Sequence, residues 1–205
     1  MILALVLGGY LLGSIPVAWL LTRLVTGHDL RQMGSGNVGV MNTALSVHRW
    51  TGLLVFLAEI AKGALAVVVS RAWDGSEVAV GLSVIATIVG TRRPIWLRGA
   101  GGRGNTAAMA ALFVLNWVAL AVMLALWFAA RLLTRSNFIA TRVSLVLLPA
   151  VFGLINQSWW AALFGAAFAI IFLSTHKRET DDHLLIKQQW PNFLSFLTAP
   201  PRSKP

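Results

Sequence analysis

The sequence predicts an all-α polytopic membrane protein of about seven transmembrane helices, one of them short, with its N-terminus outside and its C-terminus cytoplasmic. Three observations carry that expectation: an unusually apolar composition, a succession of apolar runs near membrane-crossing length, and lysines and arginines gathered in alternate connections between those runs. Of 205 residues, 57% are hydrophobic and 12% charged, and the mean hydropathy is +0.74. Ordinary globular domains are roughly 45–50% apolar, so a soluble fold of this length has too little interior for the excess. The net charge of +10 would suit nucleic acid if the basic residues shared a water-facing surface. They stand between apolar runs instead, which argues against a nucleic-acid partner. With no cysteine, disulfides, thiolate catalysis and Cys-ligated metals are excluded.

About 20 apolar residues, rising about 1.5 Å each, cross the hydrocarbon core. Runs at 1–24, 52–70, 78–90, 117–133, 138–155 and 159–174 are candidates. The first opens on Met1-Ile2-Leu3-Ala4 without a basic leader region, so it reads as a span rather than a cleaved signal. The apolar stretch 106–115 is too short to cross alone. Asn116 followed by Trp117 marks a membrane boundary, because interfacial aromatics gather at headgroup depth. That boundary makes 106–115 a short fourth helix and brings the total to seven. Arg31, Arg49, Arg92, Arg93, Arg98, Arg103, Arg135 and the basic C-terminal residues fall on one side. Arg71, beside Asp74 and Glu77, falls on the other. The positive-inside rule then places the basic side in the cytoplasm, and only an odd count puts the basic tail there. The expected organisation is one transmembrane domain over 1–189, in an inner membrane, with cytoplasmic motif loops at 28–50, 91–105 and 175–183. Residues 190–205 form a proline-containing cytoplasmic tail.

Two of these loops are suited to binding an anion. Gly34-Ser35-Gly36-Asn37-Val38-Gly39, with Asn42 beyond, lets backbone N–H groups converge while Ser and Asn add neutral donors; an ordinary inter-helix turn accounts for the same glycines. Gly99 to Asn105 opens the short helix and carries Arg103, so helix-terminal N–H groups and a guanidinium face one point. It lacks the GK[ST] element of a Walker A loop. A purely topogenic role explains Arg92 and Arg93 but leaves the glycines around Arg103 unexplained. Glu59 and Lys62 lie on one face of the second span. They mark either a functional site or a self-neutralising pair with Lys62 snorkelling to the interface. The run from His176 to His183 shows no tetrahedral ligand spacing and reads as a solvated tail, so no metal site is expected. The predicted topology gathers both glycine loops and this run on one face, as a phosphate-binding pocket open to lipid.

In chain order, Gly13-Ser14-Ile15-Pro16, Gly34-Ser35-Gly36-Asn37-x-Gly39-x-x-Asn42, Glu59-x-x-Lys62-Gly63, Gly90-x-x-x-Pro94 and Gly101-Gly102-Arg103-Gly104 span nearly the whole sequence. This series resembles the bacterial acyl-phosphate-dependent glycerol-3-phosphate acyltransferases. The resemblance implies a seven-helix enzyme that moves a fatty acyl group from acyl phosphate to the 1-hydroxyl of glycerol 3-phosphate, without a cofactor. Acyl phosphate, glycerol 3-phosphate and membrane lipid would be its partners, and a monomer would suffice. It further implies catalytic roles for Ser35, Asn37 and His176. Gly34, Gly36, Asn42, Lys62, Gly101, Gly102, Arg103, Gly104 and Lys177 would bind substrate phosphate. The sequence departs from the family pattern at Leu45 (arginine in the family), Thr91 (histidine), Arg103 (lysine), Lys177 (histidine) and Thr180 (asparagine); shifting the last motif by one position recovers His176. Phosphate binding is thus better preserved than proton transfer. Two other functions stay open at this point: a relative that binds a phosphorylated lipid or metabolite without acylating it, and an unrelated small transporter or scaffold.

Overall fold

The computed structural model describes residues 1–174 and Ser195, and among them it is helical throughout. In chain order the helices are α1 (Ile2–Ser14), α2 (Val17–Thr26), α3 (Val40–Ser46), α4 (Arg49–Trp73), α5 (Glu77–Arg92), α6 (Asn105–Leu115), α7 (Trp117–Thr134), α8 (Asn137–Asn156) and α9 (Trp159–Leu173), with single 3-10 turns at Leu30–Gln32 and Ile95–Leu97. Five stretches are long and apolar enough to cross a membrane: Ile2–Thr26, Arg49–Trp73, Glu77–Leu97, Trp117–Thr134 and Asn137–Asn156. Two shorter apolar helices, α6 and α9, stand beside these five.

The helix boundaries have local causes. Ser76, Asn116, Ser136 and Ser158 each accept a hydrogen bond from the backbone N–H three residues on, satisfying an orphan donor at the start of α5, α7, α8 and α9. Asn116 therefore separates α6 from α7 as its sequence context predicts. The first span was expected to run unbroken over 1–24, but it divides at Ile15-Pro16. Proline offers no N–H and its ring collides with the preceding turn. The stretch 28–50 is also less loop-like than expected, because it holds a 3-10 turn, all of α3 and the start of α4. The motif segment 175–183 and the tail 190–205 lie outside the described residues.

Small residues set the packing. A Cβ on Gly13 would come within 2.0 Å of the Thr87 carbonyl oxygen, and one on Gly90 within 2.2 Å of that of Tyr10, so α1 and α5 lie backbone to backbone. Gly63 lets α4 approach Ala107 of α6 in the same way. Lipid tails drive no hydrophobic association between helices, so close approach supplies the dispersion contacts that hold them. Fully buried Val67, Ile88 and Leu148 lie in the centre of this bundle.

Polar ties fix which connections share an end. The Arg71 guanidinium donates to the carbonyls of Val114 (3.0 Å) and Leu115 (2.9 Å), closing the C-terminal end of α6. Asn116 Nδ2 donates to Asn156 Oδ1 at 3.0 Å, and the Ser158 hydroxyl bonds to Glu77. The α4–α5, α6–α7 and α8–α9 turns thus meet at one end. Both glycine loops occupy the other.

Candidate active site

The first glycine loop is built around Asn42, which is fully buried. Its Nδ2 donates to the carbonyls of Met33 (3.0 Å) and Asn37 (2.9 Å), and its Oδ1 accepts from the Ser35 N–H (3.0 Å) and the Ser46 hydroxyl (3.0 Å). One amide side chain thereby replaces the backbone ladder that residues 33–37 lack. The chain must turn tightly over it, and Gly34 does so at φ 55, where a Cβ would strike Ser46 Oγ at 2.1 Å. Just upstream, Asp29 accepts from the Arg31 N–H and pairs with its guanidinium at 2.6 Å. The hydrogen bonds and charge of Arg31 hold the Asp29 carboxyl down at about 2.

The second loop meets the first at Gly102. A Cβ there would sit 2.2 Å from the Val38 carbonyl oxygen, so only glycine allows the two loops to touch. Gly102 N–H donates to Thr91 O at 3.1 Å, folding the segment back over the end of α5. Arg92 Nη1 donates to the Arg103 carbonyl at 2.8 Å, while its guanidinium carbon stands 5.4 Å from the centre of the Phe172 ring. Gly104, in the left-handed region at φ 76, then starts α6 with no side-chain cap. The helix N-terminus and its dipole are left facing the same space.

Between the loops lies a cavity of about 740 Å³. Its loop end is formed by Ser35, Gly36, Asn37, Gly101, Gly102 and Arg103, together with Arg92, Arg93 and Asn105. Its other end is apolar, with Met109 of α6, Leu145 of α8, and Phe168 and Phe172 of α9. Three arginines and no carboxylate line it among the described residues. A cationic mouth joined to an apolar slot fits an amphiphile with an anionic head.

The structure thus brings Ser35, Gly36, Asn37, Gly101, Gly102 and Arg103 to one cavity. Other expected binding residues stand apart from it. The Asn42 side chain is committed to the loop's own backbone, Gly34 lies beneath it, and Gly104 serves as the helix boundary. Lys62, 4% exposed, donates to Glu59 Oε1 at 2.5 Å and to the Ile15 carbonyl at 2.6 Å. It faces a separate, water-sized void of about 10 Å³ behind the Gly101-Gly102 turn, with Thr91 alongside. Lys62 is therefore buried against the first-span break rather than snorkelling outward. His176, Lys177 and Thr180 lie outside the described residues. Leu45 falls within α3 and lines neither space. Sequence reasoning passed over Arg92 and Arg93 as topological charges. Both line the cavity, and nothing in their spacing separates the two roles.

Comparison with known proteins agrees with this geometry. Residues 3–184 match the family model described as glycerol-3-phosphate acyltransferase. The chain is 33% identical over 171 residues to the glycerol-3-phosphate acyltransferase of Rhodopseudomonas palustris (strain BisB5), covering 83% of this chain and 86% of that one. It is 38% identical over 167 residues to glycerol-3-phosphate acyltransferase 1 of Dehalococcoides mccartyi, covering 76% and 77%. Its fold resembles the crystal structure of PlsY (YgiH), an integral membrane glycerol 3-phosphate acyltransferase in its glycerol 3-phosphate form. The TM-score is 0.72 at 24% identity, over 85% of this chain and 88% of that one. With the model match running from the first span past the last described helix, and the loop motifs meeting at one cationic cavity, the chain belongs to the glycerol-3-phosphate acyltransferase family.

Proposed function

We propose that this protein is a multi-pass membrane enzyme that transfers a fatty acyl group from acyl phosphate to the 1-hydroxyl of glycerol 3-phosphate, forming lysophosphatidate for phospholipid synthesis. Family membership supports the acceptor and the reaction class. The observation that carries the donor is the cavity itself, cationic between the glycine loops and apolar toward α8 and α9. The acyl chain lies against Met109, Leu145 and Phe168, and the phosphates lie against Arg103, Arg92, Arg93 and the α6 N-terminus.

In the reaction, the 1-hydroxyl oxygen attacks the acyl carbonyl carbon, and the bond from that carbon to the phosphate oxygen breaks. The hydroxyl proton leaves with the departing phosphate, which is basic enough to accept it. The donor is already activated, so holding two phosphate-bearing substrates in line supplies much of the acceleration. Ser35 and Asn37, on the tight first loop, orient the acceptor, and His176 would assist proton transfer. The active face is cytoplasmic and one chain forms the whole site.

Purified protein supplied with palmitoyl phosphate and glycerol 3-phosphate is expected to release inorganic phosphate and lysophosphatidate, with no comparable product from palmitoyl-CoA. Arg103→Ala should lower turnover about a hundredfold, the usual loss when one charge-stabilising donor is removed. Equal rates with palmitoyl-CoA would remove the donor assignment while leaving the acyltransferase. Glycerol 3-phosphate that protects against heat unfolding without any turnover would mean a binding protein instead.

A further inference from the structure

The end of the bundle away from the glycine loops carries a second cavity, of about 250 Å³. Two opposite charges, Arg71 at the end of α4 and Glu77 at the start of α5, line it together, yet they make no ion pair with each other. Both side chains are exposed, so they have little attraction for each other to overcome and each can meet an outside group of opposite charge. Each is also only partly committed. Arg71 spends one N–H from each terminal nitrogen on the α6 carbonyls, out of the five that a guanidinium carries. Glu77 receives Ser158 on Oε2 and has no partner on Oε1 among the described residues.

Apart from Asn156, whose amide is engaged by Asn116 and the Phe152 carbonyl, the other side chains of the lining are apolar, including Val80, Leu115, Phe152 and Phe164. Exposed Trp73, Trp117 and Trp159 sit at the ends of α4, α7 and α9 that share this side. Such an aromatic belt marks headgroup depth. At about 250 Å³ the space lies just under the roughly 300–1,000 Å³ of sites that enclose a drug-sized ligand, so it holds a headgroup whose tails remain in the bilayer.

We propose that this cavity binds the headgroup of a zwitterionic aminophospholipid from the leaflet opposite the glycine loops, its phosphate on Arg71 and its primary ammonium on Glu77. A quaternary ammonium cannot donate a hydrogen bond to Glu77, and a glycerol headgroup brings no cation. Phosphatidylethanolamine is therefore selected over phosphatidylcholine and phosphatidylglycerol. The site is independent of the acyl-transfer chemistry.

The test is lipid retention by the full chain in native mass spectrometry, with melting temperature alongside, after delipidation and titration with each of the three lipids. Phosphatidylethanolamine is expected to bind roughly tenfold tighter than the other two, the effect of one charge-assisted hydrogen bond. Glu77→Gln should reduce it to the phosphatidylcholine level while leaving turnover in lipid-free micelles unchanged. Ala161→Phe, which fills the cavity from α9, should abolish the preference without touching either charge. Equal retention of all three lipids by the unmodified protein would overturn the proposal. So would a phosphatidylethanolamine advantage that survives both substitutions.

Discussion

At Gly102 the two motif loops touch, and the contact leaves no room for a side chain. Gly102→Ala must push Val38 away or turn the peptide, so the phosphate-facing groups of the loops part by a few tenths of an ångström. Turnover in Gly102→Ala is expected to drop at least tenfold with the melting temperature nearly unchanged, because the strain stays local to the loops. An unchanged rate would show that the loops need not touch. Asp29 supports a separate expectation. Its folded carboxyl titrates at about 2 against a usual value of 3.8. A depressed folded value means that the stabilisation is complete above the unfolded value and is lost as pH falls through the folded one. Melting curves should therefore place the native protein above Asp29→Asn near neutrality, with that difference lost between about pH 4 and pH 2, whereas equal stability of the two near pH 7 would show that the pair contributes nothing. Among single residues, the sequence made Ser35, Asn37 and Arg103 legible because glycines flank them. Asn42 and Lys62 were equally visible but face inward, since each donates to backbone carbonyls that only the fold brings beside it. Arg92 and Arg93 were hidden, because a charge that fixes topology and one that holds a ligand look identical in a linear chain.

The elements depend on two simple devices. One is the polar cap at the start of α5, α7, α8 and α9, where Ser or Asn begins the helix, and this is local enough to be read from the chain. The other is the glycine face between α1 and α5, which is not. Gly13→Val would place its Cβ in the space of the Thr87 carbonyl. Such overpacking costs typically about 1–3 kcal/mol. Gly8→Val, at a neighbouring position with open space around it, should be nearly silent. Detergent melting curves of the pair give the comparison, and equal losses would mean that α1 is held by something other than this face. The break at Ile15-Pro16 belongs here too. Proline signals a break in a helix, but the structure gives the Ile15 carbonyl at that break a purpose, as an acceptor that anchors buried Lys62. Unpaired, that lysine would be far too costly to bury.

For the whole molecule, alternation of helices sets which connections share a face. The chain has no cysteine of its own, so single cysteines can report sidedness cleanly. Asp74→Cys, in the α4–α5 turn, should react with a membrane-impermeant maleimide in intact cells. Ala100→Cys, between the arginines of the second loop, should react only after permeabilisation; the reverse pattern would invert the orientation. The sequence by itself determined the solvent of this protein, its succession of apolar helices and the positions of the two glycine loops. Those follow from composition, run length and glycine placement, all properties of neighbours along the chain. Only the tertiary structure decided that the two loops meet at Gly102 over one cationic cavity, that Arg92 and Arg93 join it while Lys62 does not, and that Arg71 and Glu77 share a hollow at the far end. Those are contacts between residues distant in sequence, and their geometry depends on how close the intervening helices pack.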